Sequence, residues 1–496
     1  MRDQVLALDI GTSSVRAILF DSRGNAVSAN GGAVEAQVKY VQHTTADGGV
    51  EVDADHLVSV TVLCLSKAIR KIGKGRVRLA GVGISCFWHS LLGVGGDGRA
   101  LTPLFSWADT RASSHVPQLR ELFDATQYHQ STGAELHPCF WPAKLLWLRD
   151  ERPEVFGDVK QWMGFAEYLM LRVFGSNDSS LSMASGTGLL NQRNADWDAS
   201  VLTALDIDPA TLPGISDQGC VRRMSDEFRD KLGGLDNLPW FPAVGDGACS
   251  NIGSGGCDDK RMVLNIGTSA AIRVVVPAPK GEPLAISQGL FCYRIDAQHA
   301  IHGGAFAQGG NVYAWLKGLL EWPDDNAFGA RLARIKPDGH GLTVLPFWAG
   351  ERSPGWRSGA RAAILGMNLH TSREDIVRAS LEACAYSFDV IKSRLCEQYP
   401  QAREIVLSGG ATASSPLLCQ IVCDVFGEPL VTSKVAEASS RGAALIALQG
   451  AGVVRSWSAV PFERGRVFRP NSARHELYTV GGNRYRRAYE AVAELE

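Results

Sequence analysis

Two short segments of this chain could hold an anion. Ile10-Gly11-Thr12-Ser13 and Ile266-Gly267-Thr268-Ser269 share four residues, and each joins two apolar runs, Val5–Leu8 to Val15–Phe20 and Arg261–Leu264 to Ala270–Val276. Glycine, threonine and serine in a tight turn leave backbone N–H groups and hydroxyls free to converge on phosphate. Asp9 precedes the first turn and Asn265 the second. A carboxylate repels phosphate, so Asp9 fits there only with a hard cation such as Mg²⁺ between them. The plain alternative is a pair of β-turns, with Asp9 merely ending its strand. A third candidate is Asp246, in Gly245-Asp246-Gly247-Ala248. Its small neighbours leave the carboxylate open to accept a proton from a hydroxyl, as phosphoryl transfer requires. A helix-capping aspartate would read the same way.

Other residues suit a polyol. Trp107-Ala108-Asp109-Thr110-Arg111 offers a ring face, a carboxylate for paired hydroxyls and a guanidinium for an acidic or hydroxylated end. His89 and Ser90 follow the apolar run Val82–Ser85, at the strand end where open α/β sheets gather ligands. His89 is as readily a core histidine, and His137 before Pro138 is weaker still. Gly409, Gly410 and Ala411 bring backbone close to a flat or phosphorylated group, while Ser414 and Ser415 before Pro416 suit a helix start. Alone, this last segment is an ordinary glycine turn.

The elements that must position these residues follow from periodicity. The first turn joins strand to strand, so it is a hairpin and not a strand-to-helix phosphate loop. Helices are expected over Glu51–Ile72, Val116–Phe123, Trp141–Arg149, Phe165–Val173, Ala199–Leu205, Ser372–Tyr399, Pro416–Phe426, Ser439–Gln449 and Asn483–Glu494. Strands are expected over Val77–Ser85, Glu404–Leu407 and near Leu430–Val431. The two hairpins lie 256 residues apart, counted from Asp9 to Asn265. Their flanks agree as well, which points to an internal duplication. The junction is expected just before Asp246, giving domains 1–244 and 245–496, with the last helix packing back on the first domain.

Composition bounds the function. The 496 residues hold 50 Lys plus Arg against 52 Asp plus Glu, a net charge of -2. That balance excludes a generic nucleic-acid or anionic-membrane binder. Fifty-three glycines exceed the usual ~7% share without any collagen period. Eleven cysteines form no disulfide framework, and Cys419 and Cys423 suit buried positions better than a zinc site. There is no signal-peptide pattern and no spanning run of apolar residues, so a cytoplasmic location is expected.

Taken in order, these segments, together with Gly309-Gly310-Asn311 and Ala349-Gly350-Glu351-Arg352-Ser353-Pro354, resemble the FGGY carbohydrate kinases of the sugar kinase, actin and Hsp70 superfamily. The resemblance implies an α/β fold of two actin-like (ribonuclease H-like) domains around a central cleft that takes ATP and Mg²⁺. It implies Asp246 as catalytic base and, with Asp9, the metal side. It implies Gly11, Thr12, Ser13, Gly267, Thr268 and Ser269 as phosphate contacts. Gln308, Gly309, Gly310, Asn311, Gly409, Gly410, Ala411 and Ser414 would line the nucleotide, and His89, Ser90, Trp107, Asp109 and Arg111 would touch the sugar.

Cys86-Phe87-Trp88-His89-Ser90-Leu91-Leu92, Trp141-Pro142-Ala143-Lys144-Leu145 and Ser185-Gly186-Thr187-Gly188 are most similar to the gluconokinase branch. Trp88 departs from its usual methionine. The expected substrate is therefore D-gluconate, with Arg111 toward its carboxylate and Trp88 and Trp107 over its apolar edges; xylulose or another pentulose or polyol is the alternative. An actin-like ATPase or binding module would share the hairpins without the polyol segment. A silent regulator would not keep Asp9, Asp246 and both hairpins. The expected partner is a sugar or sugar acid, with no nucleic acid and no membrane; a homodimer is left open.

Overall fold

The computed structural model describes residues 3–29, 32–73, 77–217, 223–321 and 326–493. The first two residues and Glu494, the end expected for the last helix, lie outside that set. The chain forms two compact units. The first comprises residues 1–257, 275–302 and 437–461, and the second 258–274, 303–436 and 462–496.

The first unit is built on a five-stranded sheet ordered Val244–Gly245, Arg78–Cys86, Asp3–Ile10, Ser14–Phe20 and Glu35–Lys39. Asp3–Ile10 pairs antiparallel with Ser14–Phe20 and parallel with Arg78–Cys86, which is itself parallel to Val244–Gly245. Its apolar runs are continuous because both faces are covered: Val5, Leu6, Ala7, Leu8 and Ile10 are all fully buried. The helix after Asp53 starts at Ala54, not Glu51. Asp53 caps it through the His56 N–H, while Glu51 and Val52 pair with Phe105 and Leu104 as a short strand.

The second unit repeats this plan. Arg261–Ile266 pairs antiparallel with Ala270–Pro277 and parallel with Glu404–Ser408, which is parallel to Leu430–Ser433. His299–Phe306 flanks the hairpin, and Arg464–Phe468 lies outside Leu430–Ser433. The helix Arg373–Gln398 opens with a capping box between Ser372 and Asp375.

Two expectations change. Residues 245–257 stay with the first unit, beyond the expected junction at 244. The reason is a close crossing of helix Asp246–Gly253 with helix Ala438–Gly450: a Cβ on Gly253 would lie 1.8 Å from the Ala438 carbonyl oxygen, and one on Gly442 would lie 1.9 Å from that of Cys249. The last helix belongs to the second unit rather than the first, and it runs from Ser472 to Ala493. There the Tyr478 hydroxyl accepts from Arg378, and Tyr485 bonds Ser387 at 3.0 Å. Gly481-Gly482 reads as a break in sequence. In the fold, Gly481 clears the Tyr386 hydroxyl, which a Cβ would approach to 2.3 Å. No helix among the described residues is long and apolar enough to cross a membrane.

Candidate functional site

On the first unit the chemistry collects at the strand ends. Asp9 sits one residue before the end of Asp3–Ile10, opposite Ser85 on the parallel neighbour, and is 6% exposed. The Ser440 hydroxyl donates to it at 3.4 Å, and Arg16 stands 4.0 Å away while also facing Glu437 at 3.3 Å. Burial pushes its carboxyl up to about 6, and the Asp246 charge adds to that; Ser85, Arg16 and Ser440 act the other way. A carboxyl raised by burial and by a neighbouring carboxylate suits a divalent cation, which would favour its charged form. The donor set therefore fits Mg²⁺ on the oxygens of Asp9 and Asp246. At the hairpin tip, Gly11 N–H bonds the Ser14 carbonyl at 3.0 Å. The hydroxyls of Thr12 and Ser13 have no partner among the described residues.

Asp246 opens the helix Asp246–Gly253, with Gly245 as its N-cap. One carboxylate oxygen takes the Gly247 N–H at 2.7 Å, so the side chain does part of a cap's work while remaining half-buried. Trp88 fixes this strand end. Its indole N–H donates to the Ser182 carbonyl at 2.8 Å, and its ring lies against Gly245, where a Cβ would come within 1.8 Å. The Ser182 hydroxyl in turn accepts the Gly245 N–H at 3.1 Å. Trp88 is thus a buried support for Asp246 and not a cover over substrate. Gly245 and Ser182 complete that support, and no sequence signal ties either of them to Trp88.

The polyol segment is also more tightly committed than its sequence suggested. Arg111 pairs with Asp109 at 2.5 Å and Glu51 at 2.7 Å, and it stacks on Trp147 at 4.9 Å. Asp109, 2% exposed, accepts in addition from the N–H groups of Val50 and Arg111. Gly49 lacks a side chain where a Cβ would meet the Arg111 guanidinium carbon at 2.8 Å. Arg111, expected to clamp a substrate end, therefore has its charge balanced internally, and Asp109 is its counter-ion. Ser90 is 2% exposed; its hydroxyl accepts the Phe165 N–H and its carbonyl the Trp141 indole N–H, so it builds the wall and is not an open contact.

His89 has a left-handed backbone, φ 67°, and its ring lies edge-on to Phe140 and Tyr293, with Nδ1 against the Gly186 carbonyl. Lys144, which sequence reasoning gave no role, donates to the carbonyls of His89 and Cys139 from a site 2% exposed. Burial pulls its ammonium down to about 8. Trp107 is half-buried at the start of the same segment.

On the second unit the hairpin closes in the same way, with Gly267 N–H on the Ser269 carbonyl at 2.9 Å. The hydroxyls of Thr268 and Ser269 have no partner among the described residues. Asn265 donates to Ser408 at 3.0 Å, the same register pair as Asp9 and Ser85. Helix Gly310–Leu319 begins on this hairpin: Gly310 and Asn311 N–H groups donate to the carbonyls of Gly267 and Thr268, at 2.8 and 3.1 Å. Gly309 and Gly310 are required by that approach, since a Cβ would lie 2.7 Å from Ser269 and 2.9 Å from Gly267. The Asn311 side chain bonds Gly309 N–H and the Ala307 carbonyl, holding its own loop instead of reaching outward. Gly409, φ 93°, passes the Ile266 carbonyl, and the half-exposed Gly410–Ser414 turn follows. Ser415 caps Pro416–Phe426, whereas Ser414 bonds back to Gly410. Gln308, directly before Gly309, is 4% exposed.

Comparison with known proteins decides the family. Residues 4–253 match the N-terminal domain and residues 262–451 the C-terminal domain of the FGGY family of carbohydrate kinases. The chain belongs to this family. It is similar to the gluconokinase of Bacillus subtilis (strain 168), 25% identical over 95% of this chain and 92% of that one. It is 30% identical to the glycerol kinase of Aromatoleum aromaticum over 92% and 91% of the two chains. Among solved structures, gluconate kinase from Lactobacillus acidophilus matches with TM-score 0.90 and 28% identity over 99% of both chains. Ligand-bound xylulose kinase from the same organism matches with TM-score 0.90 and 29% identity over 99% and 98%. The fold is thus that of the two-domain FGGY sugar kinases, and the activity is ATP-dependent phosphorylation of a sugar-type alcohol.

Proposed function

We propose that this FGGY kinase phosphorylates D-gluconate on its terminal C6 hydroxyl, with Asp246 as general base. The observation that carries the base assignment is the buttressed strand end, where Trp88 and Ser182 hold Gly245 so that the next residue presents its carboxylate in a fixed direction. Asp246 takes the proton of the acceptor hydroxyl as its oxygen bonds the γ-phosphorus; the bond to the β,γ-bridging oxygen breaks, and ADP leaves with that electron pair. Thr12 and Ser13 are neutral donors of the kind that hold phosphate, and so, in the second unit taken by itself, are Thr268, Ser269 and the Gly309-Gly310 and Gly409-Gly410 backbones. Bound Mg²⁺ at Asp9 and Asp246 would neutralise charge developing on the phosphate oxygens. His89 and Trp107 border the acceptor.

Gluconate is favoured by the gluconokinases among the relatives and by the Trp88–Leu92, Trp141–Leu145 and Ser185–Gly188 segments. The equally similar xylulose kinase structure favours a ketopentose as the second reading. A coupled ADP-release screen over D-gluconate, D- and L-xylulose, D- and L-ribulose, glycerol, erythritol and L-fuculose tests the choice. Gluconate should give the largest kcat/KM; a neutral sugar ahead by tenfold or more overturns gluconate and leaves the kinase assignment standing.

A further inference from the structure

Lys144 is a charge in an apolar place. It lies on helix Trp141–Glu151 with Trp141, Leu145 and Leu148, all buried, and is itself 2% exposed. An ammonium there loses its water; burial pulls it down to about 8, and the Asp109 charge offsets part of that. Asp109 is already paired with Arg111, and no carboxylate makes an ion pair with Lys144 among the described residues. A methionine would fill the same length without burying a charge. What the ammonium gains is two carbonyls, that of His89 at 3.3 Å and that of Cys139.

Both carbonyls are one step from what fixes the His89 imidazole. His89 has a left-handed backbone, φ 67°, which costs energy for any residue with a side chain, and the charge-assisted bond to its carbonyl offsets that cost. The Cys139 carbonyl belongs to the peptide leading into Phe140, whose ring lies edge-on to the imidazole at 4.9 Å. On the ring itself, Nδ1 faces the Gly186 carbonyl, which can only accept. Nδ1 therefore carries the proton, and Nε2 is the accepting nitrogen of the neutral imidazole. One side chain thus ties the loop that follows strand Arg78–Cys86 to the start of helix Trp141–Glu151.

We propose that Lys144 is a positioning residue for the sugar acceptor: it holds the His89 and Cys139 carbonyls together and so keeps the His89 ring where Nε2 accepts a hydrogen bond from a substrate hydroxyl. The role rests on His89 bordering the acceptor, as proposed above, and not on which sugar is bound. All of these groups belong to the first unit.

The test uses the full-length protein in the kinase assay with D-gluconate and with D-xylulose. His89→Ala removes the ring and reads the parent assignment: an acceptor KM within twofold of wild type takes His89 out of the acceptor site. Lys144→Met keeps the length and removes the donors. It should raise the acceptor KM at least tenfold and leave the KM for ATP within twofold, whereas a mere loss of folded protein lowers the apparent kcat and moves neither KM. Lys144→Gln returns neutral donors and should recover at least threefold of the lost KM. Because the ammonium acts through the ring, adding Lys144→Met to His89→Ala should raise the acceptor KM no more than about twofold further. With His89→Ala impaired, an acceptor KM in Lys144→Met within twofold of wild type, or full additivity in the double variant, overturns the positioning role and leaves His89 standing. If Lys144→Met does not fold, Lys144→Gln carries the same comparison, with an acceptor KM expected at least threefold above wild type. A crystal structure of the folded variant gives a readout without turnover: His89 should leave the left-handed region, and a backbone unchanged from φ 67° overturns the proposal.

Discussion

The two sheets carry the same scaffold and different chemistry. In each, a hairpin strand lies antiparallel to its partner and parallel to a neighbour, which has a second parallel strand beyond it. In each, a polar residue one place before the strand's end faces a serine on that neighbour: Asp9 with Ser85, Asn265 with Ser408. Beyond the neighbour, the first unit continues into Phe87-Trp88-His89-Ser90 and the second into Gly409-Gly410-Ala411. Beyond the outer parallel strand stand Asp246 in one and Lys434 in the other. The two hairpins thus sit on one strand pattern, and the units differ in the residues just past the strand ends. The first unit has a pair of acids and an aromatic wall. The second has neutral donors and open backbone, which suit a polyphosphate.

The sharpest way to break this comparison is to remove the acid that has no counterpart. Asp246→Asn should lower kcat by about 10²–10⁴-fold, the usual range for a lost general base, while nucleotide affinity measured by calorimetry stays within about twofold. Near-normal turnover would reduce Asp246 to a helix-opening residue. Next in size is Arg111→Leu. Stranding Asp109 and Glu51 in a buried site should cost about 3–5 kcal/mol in denaturant unfolding and reduce activity on every acceptor alike. A stable variant with KM raised only for gluconate would instead make Arg111 a reader of the substrate carboxylate.

Exchanging the paired positions gives intermediate effects. Asp9→Asn makes the first hairpin resemble the second and should raise the Mg²⁺ concentration needed for half-maximal rate, whereas Asn265→Asp should raise the KM for ATP about tenfold by placing a charge beside phosphate. Unchanged Mg²⁺ dependence in Asp9→Asn would reject the metal role. A separate effect concerns stability. A carboxyl whose folded pKa is raised from 3.8 to about 6 holds its proton more tightly in the native state, so stability falls as pH rises through that window. The ionised form is penalised by about 3 kcal/mol. In metal-free buffer Asp9→Asn should thus be more stable than wild type at pH 7 and lose that advantage toward pH 4, read as the Tm difference between the two proteins.

What the sequence revealed divides along physical lines. The hairpins, the strand bearing Asp246 and the helices Ala199–Leu205 and Pro416–Phe426 were legible because local rules set them: continuous apolar runs, the Asp198 cap and a proline in the first turn. Helix Gly310–Leu319 was not, because Gly309-Gly310 resembles a loop and its first N–H groups bond carbonyls more than 40 residues earlier. Strand His299–Phe306 was hidden by Gly303-Gly304, which the packing of Arg273 and Ile391 demands. For the site, residue types were readable and commitments were not. Asp109 and Arg111 look like an open polyol reader until Glu51, sixty residues away, is seen to share the guanidinium. Trp88 looks like a platform until Gly186 and Gly245 are both found packed against its ring.

The crossing at Gly253 and Gly442 bears on how this protein is made. Helix Ala438–Gly450 lies against Arg78–Cys86 as well, with Gly83 passing the Ala443 carbonyl at a separation that a Cβ would reduce to 2.3 Å. The first unit therefore lacks one of its own layers until residue 450 has been synthesised, nearly two hundred residues after Cys257. On the ribosome, residues 1–257 must wait with an apolar sheet face uncovered, and a fragment ending there should be captured by chaperones or aggregate instead of folding. The half of the sequence that bears Asp9 and Asp246 is in this sense not a separable part. Its folding depends on a segment of chain that emerges last but one.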